Sequence, residues 1–145
     1  MFRCLLLALL GCSVSVLNNF AQGTNDKMKL LGTWTCSSAV IDGKPLAEEA
    51  AKALKLTLTA DRYKTERGDQ VLFDSTYTID AAKNPKTIDM VGTEGELKGK
   101  PALGIYTLDG DMLSMAYVMP GKDRPTTFES KAGSGIYVIV WKRKQ

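Results

Sequence analysis

The stretch LLGTWTC, Leu30–Cys36, decides how this chain is read. A glycine, one spacer and a tryptophan stand at the head of the first segment that alternates like a strand. Gly32 frees the backbone to bend, or to approach a neighbour where a side chain would obstruct. Trp34 shares its phase, so a bend at Gly32 lets a large indole swing across the end of the structure that the strand belongs to. Cys36 falls in the same phase and is expected to point inward as a small apolar filler.

Outward from this stretch, period-two alternation broken by turn residues at short intervals predicts an antiparallel all-β domain. The strands read as Leu30–Ile41, Leu54–Thr59, Asp69–Ile79, Lys86–Val91, Ala102–Leu108, Met112–Met119, a short Thr126–Glu129 and Gly135–Arg143. Asp109-Gly110 is the strongest hairpin signal, because glycine accepts the positive φ of a tight turn. The departure is Pro45–Lys55, alanine-rich, with Glu48 and Glu49 early and Lys52 and Lys55 late, the charge order that complements a helix dipole. Eight strands with one short helix between the first and second suit an eight-stranded antiparallel up-and-down barrel. The interior of such a barrel is wide enough for packed side chains or for one small ligand, and Trp34 would be its floor.

LLGTWT, followed by a helix, seven further strands and a basic residue ending the last strand, resembles the lipocalins and the wider calycin group. That resemblance implies that Arg143, with Lys142 as the fallback, lies over the tryptophan. The ordered series DGKPL, NPKTIDM, GIYTLDGDML, RPTTF and VIVWKR is similar to the lipocalin-like domains of uncharacterised exported bacterial proteins, mainly of planctomycetes. The likeness spans Leu30–Arg143. It implies a fold and an extracytoplasmic setting, and carries over no catalytic residue, since a fold does not supply a function.

Met1–Gly23 reads as an export signal: Arg3 gives the positive start, Cys4–Leu17 is apolar or small, and Ala21-Gln22-Gly23 offers small residues for cleavage. Removal there leaves a domain of residues 24–145, periplasmic or secreted. Leu9-Leu10-Gly11-Cys12 resembles a bacterial lipobox, so acylation at Cys12 and an envelope anchor form the alternative. After cleavage at Gly23 the only thiol is Cys36, which rules out an internal disulfide and leaves the core to hold the domain.

The net charge of +3 comes from 19 basic and 16 acidic residues, well mixed, with one basic run at Lys142-Arg143-Lys144. Nucleic-acid binding is not expected from that pattern. The sequence contains no histidine, which removes the commonest general base, the Ser-His and Cys-His pairs and most zinc sites. Asp109 and Asp111 flank a glycine, but two carboxylates fall short of a calcium shell and suit a turn. Gly133-Ser134-Gly135 lacks the spacing of a nucleophile elbow and reads as a hairpin. No enzyme activity, metal or cofactor is expected.

The remaining candidates are aromatic and polar. Tyr63, Tyr77, Tyr106, Tyr117 and Phe128 are spread along the strand series, and Met115 shares the strand and phase of Tyr117, so inward faces would line a cavity for a small, largely apolar ligand with one polar group. Plain filling of the barrel is the competing expectation. Arg124 would either sit at the rim and take a carboxylate or phosphate, or pair with Asp123 or a neighbouring loop carboxylate. Two functions follow: an exported ligand-binding barrel with the Pro45–Lys55 helix as its lid, or a filled barrel meeting envelope protein partners through its surface. Membrane contact is expected only through an anchor at Cys12.

Overall fold

The computed structural model describes residues 24–145; the leader, its cleavage site and Cys12 lie outside the described residues. Residues 24–30 form helix α1. The strands are β1 (Gly32–Ile41), β2 (Lys44–Pro45), β3 (Leu54–Leu58), β4 (Arg62–Arg67), β5 (Gln70–Asp80), β6 (Lys86–Gly92), β7 (Pro101–Asp109), β8 (Met112–Val118) and β9 (Ile136–Arg143), with helix α2 at Glu48–Lys52. Each barrel strand pairs antiparallel with the next, and β1 also pairs with β9 from Trp34↔Arg143 to Ile41↔Tyr137. The sheet therefore closes on itself as the expected eight-stranded antiparallel barrel, with β2 as a two-residue ribbon on β1.

The expected number of strands is right, but one member differs. Thr126–Glu129 is not a strand: its four residues are exposed and lie in the loop between β8 and β9. The eighth strand is instead β4, sequence RYKTER, where Tyr63 and Thr65 point inward and Arg62, Lys64 and Glu66 point out. With a single large apolar residue facing in, its alternation is hidden beneath charge. Those outward charges join neighbouring positions, since Glu66 takes Lys55 at 2.9 Å and Lys64 at 3.0 Å. A bulge between Thr65 and Glu66 shifts the β4–β5 register and leaves Val71 exposed, out of the phase that Phe73, Tyr77 and Ile79 keep.

The helix expected over Pro45–Lys55 shortens to Glu48–Lys52, because Lys44–Pro45 pairs with β1 and Leu54 already belongs to β3. Ala51 is its buried contact with the core. Helix α1 was not expected at all. Asp26 and Leu30, four residues apart, share its inward face and close the end of the barrel where β1 starts. α2 lies at the opposite end.

Two glycines permit the closure. Gly32 has φ +126°, a conformation that other residues rarely adopt, and turns the chain from α1 into β1. A Cβ there would meet only Arg143, at 3.5 Å, so the bend, not a close approach, is what requires glycine. At Gly104 the reverse holds: a Cβ would lie 2.8 Å from the Tyr117 Cβ and 2.9 Å from the Ala116 carbonyl oxygen, so β7 and β8 pack too tightly for a side chain.

Candidate functional site

At the α1 end the base of the barrel is an indole under a guanidinium. Trp34 is fully buried and its Nε1 donates to the Leu30 carbonyl at 3.0 Å. The Arg143 guanidinium lies 4.2 Å from the indole centre, a cation–π contact. Its nitrogens donate to the carbonyls of Leu31, at 2.9 Å, and Lys29, and to the Asp111 carboxylate at 3.3 Å. Arg143 thus ties the α1–β1 link to the β7–β8 turn across the face of Trp34, while the Lys142 side chain is exposed.

Beneath α1, Asp26 is a buried carboxylate that accepts from Lys86 Nζ at 2.6 Å and from the Tyr106 hydroxyl at 2.8 Å. Burial, then the hydrogen bond to Asp26, pushes the Tyr106 phenol far above the usual tyrosine range, so it stays a neutral donor. Lys27 lies 3.6 Å from the Tyr77 ring centre and donates to the Tyr77 carbonyl at 3.4 Å. The Tyr77 hydroxyl donates to Thr59 O at 2.8 Å; burial, then the charge of Asp61, pushes that phenol up to about 12. A cleft of about 350 Å³ opens beside these groups, lined by Asp26, Lys29, Lys86, Leu108, Gly110, Asp111 and Arg143.

The barrel centre holds Tyr63 and Met115, with the Tyr63 hydroxyl 3.9 Å from the Met115 sulfur. Phe73 meets the Tyr63 ring edge-on at 6.3 Å. Trp34, Leu56, Met90 and Met115 are all at 0% exposure. A void large enough for water would leave accessible surface on the side chains around it. These layers are solid. Burial drives the Tyr63 phenol well above its ordinary range and raises the Cys36 thiol, which donates weakly to Ser38 O at 3.4 Å. Trp141 Nε1 is buried with no hydrogen-bond partner among the described residues.

Toward the α2 end, Tyr117 and its cross-strand partner Tyr137 stack with ring centres 5.0 Å apart and planes 14° from parallel. Tyr137 is half-buried, so this pair marks where the filled centre gives way to the end of the barrel. Burial raises the Tyr117 phenol too.

The candidate residues therefore do not form one cavity. Tyr63, Met115 and Tyr117 share the interior, whereas Tyr77 and Tyr106 sit under α1. Phe128 is 36% exposed and lies in the β8–β9 loop, because the strand expected over Thr126–Glu129 does not form. Arg124 is structural in its contacts. Its Nη1 donates to Gly104 O at 2.8 Å and Ile88 O at 3.2 Å, and its Nη2 lies 2.6 Å from Asp89 Oδ1, an ion pair not aligned as a hydrogen bond. The loop carboxylate that it was expected to find is on β6. Asp26, Lys27 and Lys86 are the residues that sequence reasoning missed. The only signal was the four-residue spacing of Asp26 and Leu30, in a segment read as the approach to a strand.

Fold and site define a closed antiparallel barrel, stoppered by a helix at one end and packed through its middle. No family model, curated protein or solved structure matches the chain significantly.

Proposed function

We propose that this chain is an exported barrel that works through its outer surface, as an interaction module of the cell envelope, without catalysis. The observation that carries this is the packed centre above the Trp34 floor: Leu56, Met90 and Met115, on three different strands, lie at 0% exposure and Tyr63, on a fourth, at 1%. A ligand pocket inside the barrel would need several hundred cubic ångströms of continuous space, and the cleft of about 350 Å³ lies outside that centre, at the α1 end. Support for export comes from the sequence of Met1–Gly23, and Cys12 offers a lipid anchor as the alternative to free release. The absence of histidine supports a non-enzymatic role.

A second reading is favoured by one feature. The stacked Tyr117 and Tyr137, with Tyr137 half-buried, could hold a small, largely apolar molecule at the α2 end. Native mass spectrometry of the protein purified from its own host separates the two. The bare polypeptide mass is expected; a small molecule retained at one copy per chain would overturn the first reading and establish the second.

A further inference from the structure

Helix α1 has a second face. Asp26 and Leu30 point into the barrel, and this leaves Met28 69% exposed beside an exposed Lys29. Leu31, the next residue after the helix, is 39% exposed. Met112 is also partly exposed, next to Asp111 and paired across the sheet with Lys142. One side chain gathers these positions: Arg143 binds the carbonyls of Lys29 and Leu31 and the Asp111 carboxylate. Three partly exposed apolar residues thus lie at, or one residue from, the groups that Arg143 binds at a single end of the barrel. Exposed apolar groups collected together with cations call for a partner.

The charge at this end points to the kind of partner. Asp26 and Asp111 are engaged internally by Lys86 and Arg143. Lys29, Lys142 and Lys144 have no ion-pair partner among the described residues; Asp61, Asp80 and Asp109, the last residue of β7, are the opposing charges at this end. In the alternative in which Cys12 carries a lipid, residues 13–23 remain ahead of α1. From Cys12, residues 13–23 would reach at most about 40 Å when fully extended, so an anchor there would hold this end of the barrel toward a bilayer.

We infer that the α1 end is a docking face for an anionic phospholipid surface. Met28, Leu31 and Met112 enter the headgroup layer, and Lys29, Lys142 and Lys144 meet the lipid phosphates. The inference rests on the reading that the protein works through its surface, and extends it by naming the surface and the partner.

The test is sedimentation of residues 24–145 with vesicles. The sheet, its plug and its core are all formed within those residues. Binding to vesicles of equal parts phosphatidylglycerol and phosphatidylcholine should exceed binding to pure phosphatidylcholine by about tenfold or more, and fall with added salt. Met28→Ser with Leu31→Ser, and separately Lys29→Glu with Lys142→Glu, should each weaken it by about tenfold. Lys98→Glu with Lys100→Glu, at the opposite end, should leave it unchanged. Hydrogen exchange on the unaltered protein provides a readout free of folding defects: vesicles should protect residues 24–31 and the β7–β8 turn. Equal binding to both vesicle types, or protection only at the α2 end, would overturn the docking face. Neither result would alter the packed interior, and a ligand found by native mass spectrometry would remove the packed-interior reading without touching vesicle binding.

Discussion

At the α1 end the closing helix is fastened by a buried carboxylate, a guanidinium over an indole, and a lysine over a tyrosine ring, whereas at the α2 end a five-residue helix contributes little beyond Ala51. The difference shows where this fold keeps its strongest constraints. Residues 26 and 106 are 80 positions apart, 27 and 77 are 50 apart, and 31 and 143 are 112 apart, so that end is assembled only when the whole barrel has closed. Helix α2 itself is held by local pieces, such as the exposed Glu48–Lys52 pair, while the long-range ties at that end, Gly43 N to Ser130 Oγ and Gly135 N to Asp42 Oδ1, both 2.8 Å, join loops and do not fasten the helix. The contrast predicts unequal sensitivity to mutation.

The largest effect should come from Trp34→Ala, which empties the floor of the barrel and is expected to cost about 3 to 5 kcal/mol, read as a lower midpoint in urea. An unchanged midpoint would break the comparison at its strongest point. Asp26→Asn comes next. It leaves Lys86 without its counter-charge and weakens the bond to Tyr106, for a loss of about 2 kcal/mol, and hydrogen exchange of α1 should rise ahead of the rest. At the other end Tyr137→Leu removes a ring stack at a half-buried position and should cost about 1 kcal/mol. If it costs as much as Trp34→Ala, the two ends are equally constrained and the contrast fails.

Base sharpens the same comparison. The Tyr77 phenol is held near 12 in the folded chain, above the ordinary tyrosine value near 10. Its contribution is therefore complete below pH 10 and is lost as pH rises through 12, because unfolding frees a phenol that ionises more readily. The other buried tyrosines shift in the same direction. Tyr77→Phe should make the fall in stability between pH 10 and 12 shallower, as followed by denaturant titration. The smallest effect is expected from Glu48→Gln, a few tenths of a kcal/mol, since an exposed helical ion pair contributes little.

Much of the barrel was legible because alternation and turn chemistry are local. LLGTWTC gave the first strand and its inward tryptophan, and Asp109-Gly110 gave the β7–β8 hairpin. The strand Arg62–Arg67 was not legible, because its outward face is charged and its inward face holds only Tyr63 and Thr65. α1 escaped for another reason: its sequence joins a leader to a strand, and its hold on the barrel comes from Lys86 and Tyr106, distant partners that no local pattern announces. Phe128 looked like a lining residue only because its β-branched neighbours suggested a strand.

The packed interior can be tested through the methionine methyl groups. In a spectrum of protein carrying labelled methionine methyls, titration with a small apolar probe such as N-phenyl-1-naphthylamine should leave the Met90 and Met115 signals in place, with the exposed Met28 and Met112 as surface controls. Saturable shifts of Met90 and Met115 at one probe per chain would show that the barrel opens to a guest, and would contradict the account.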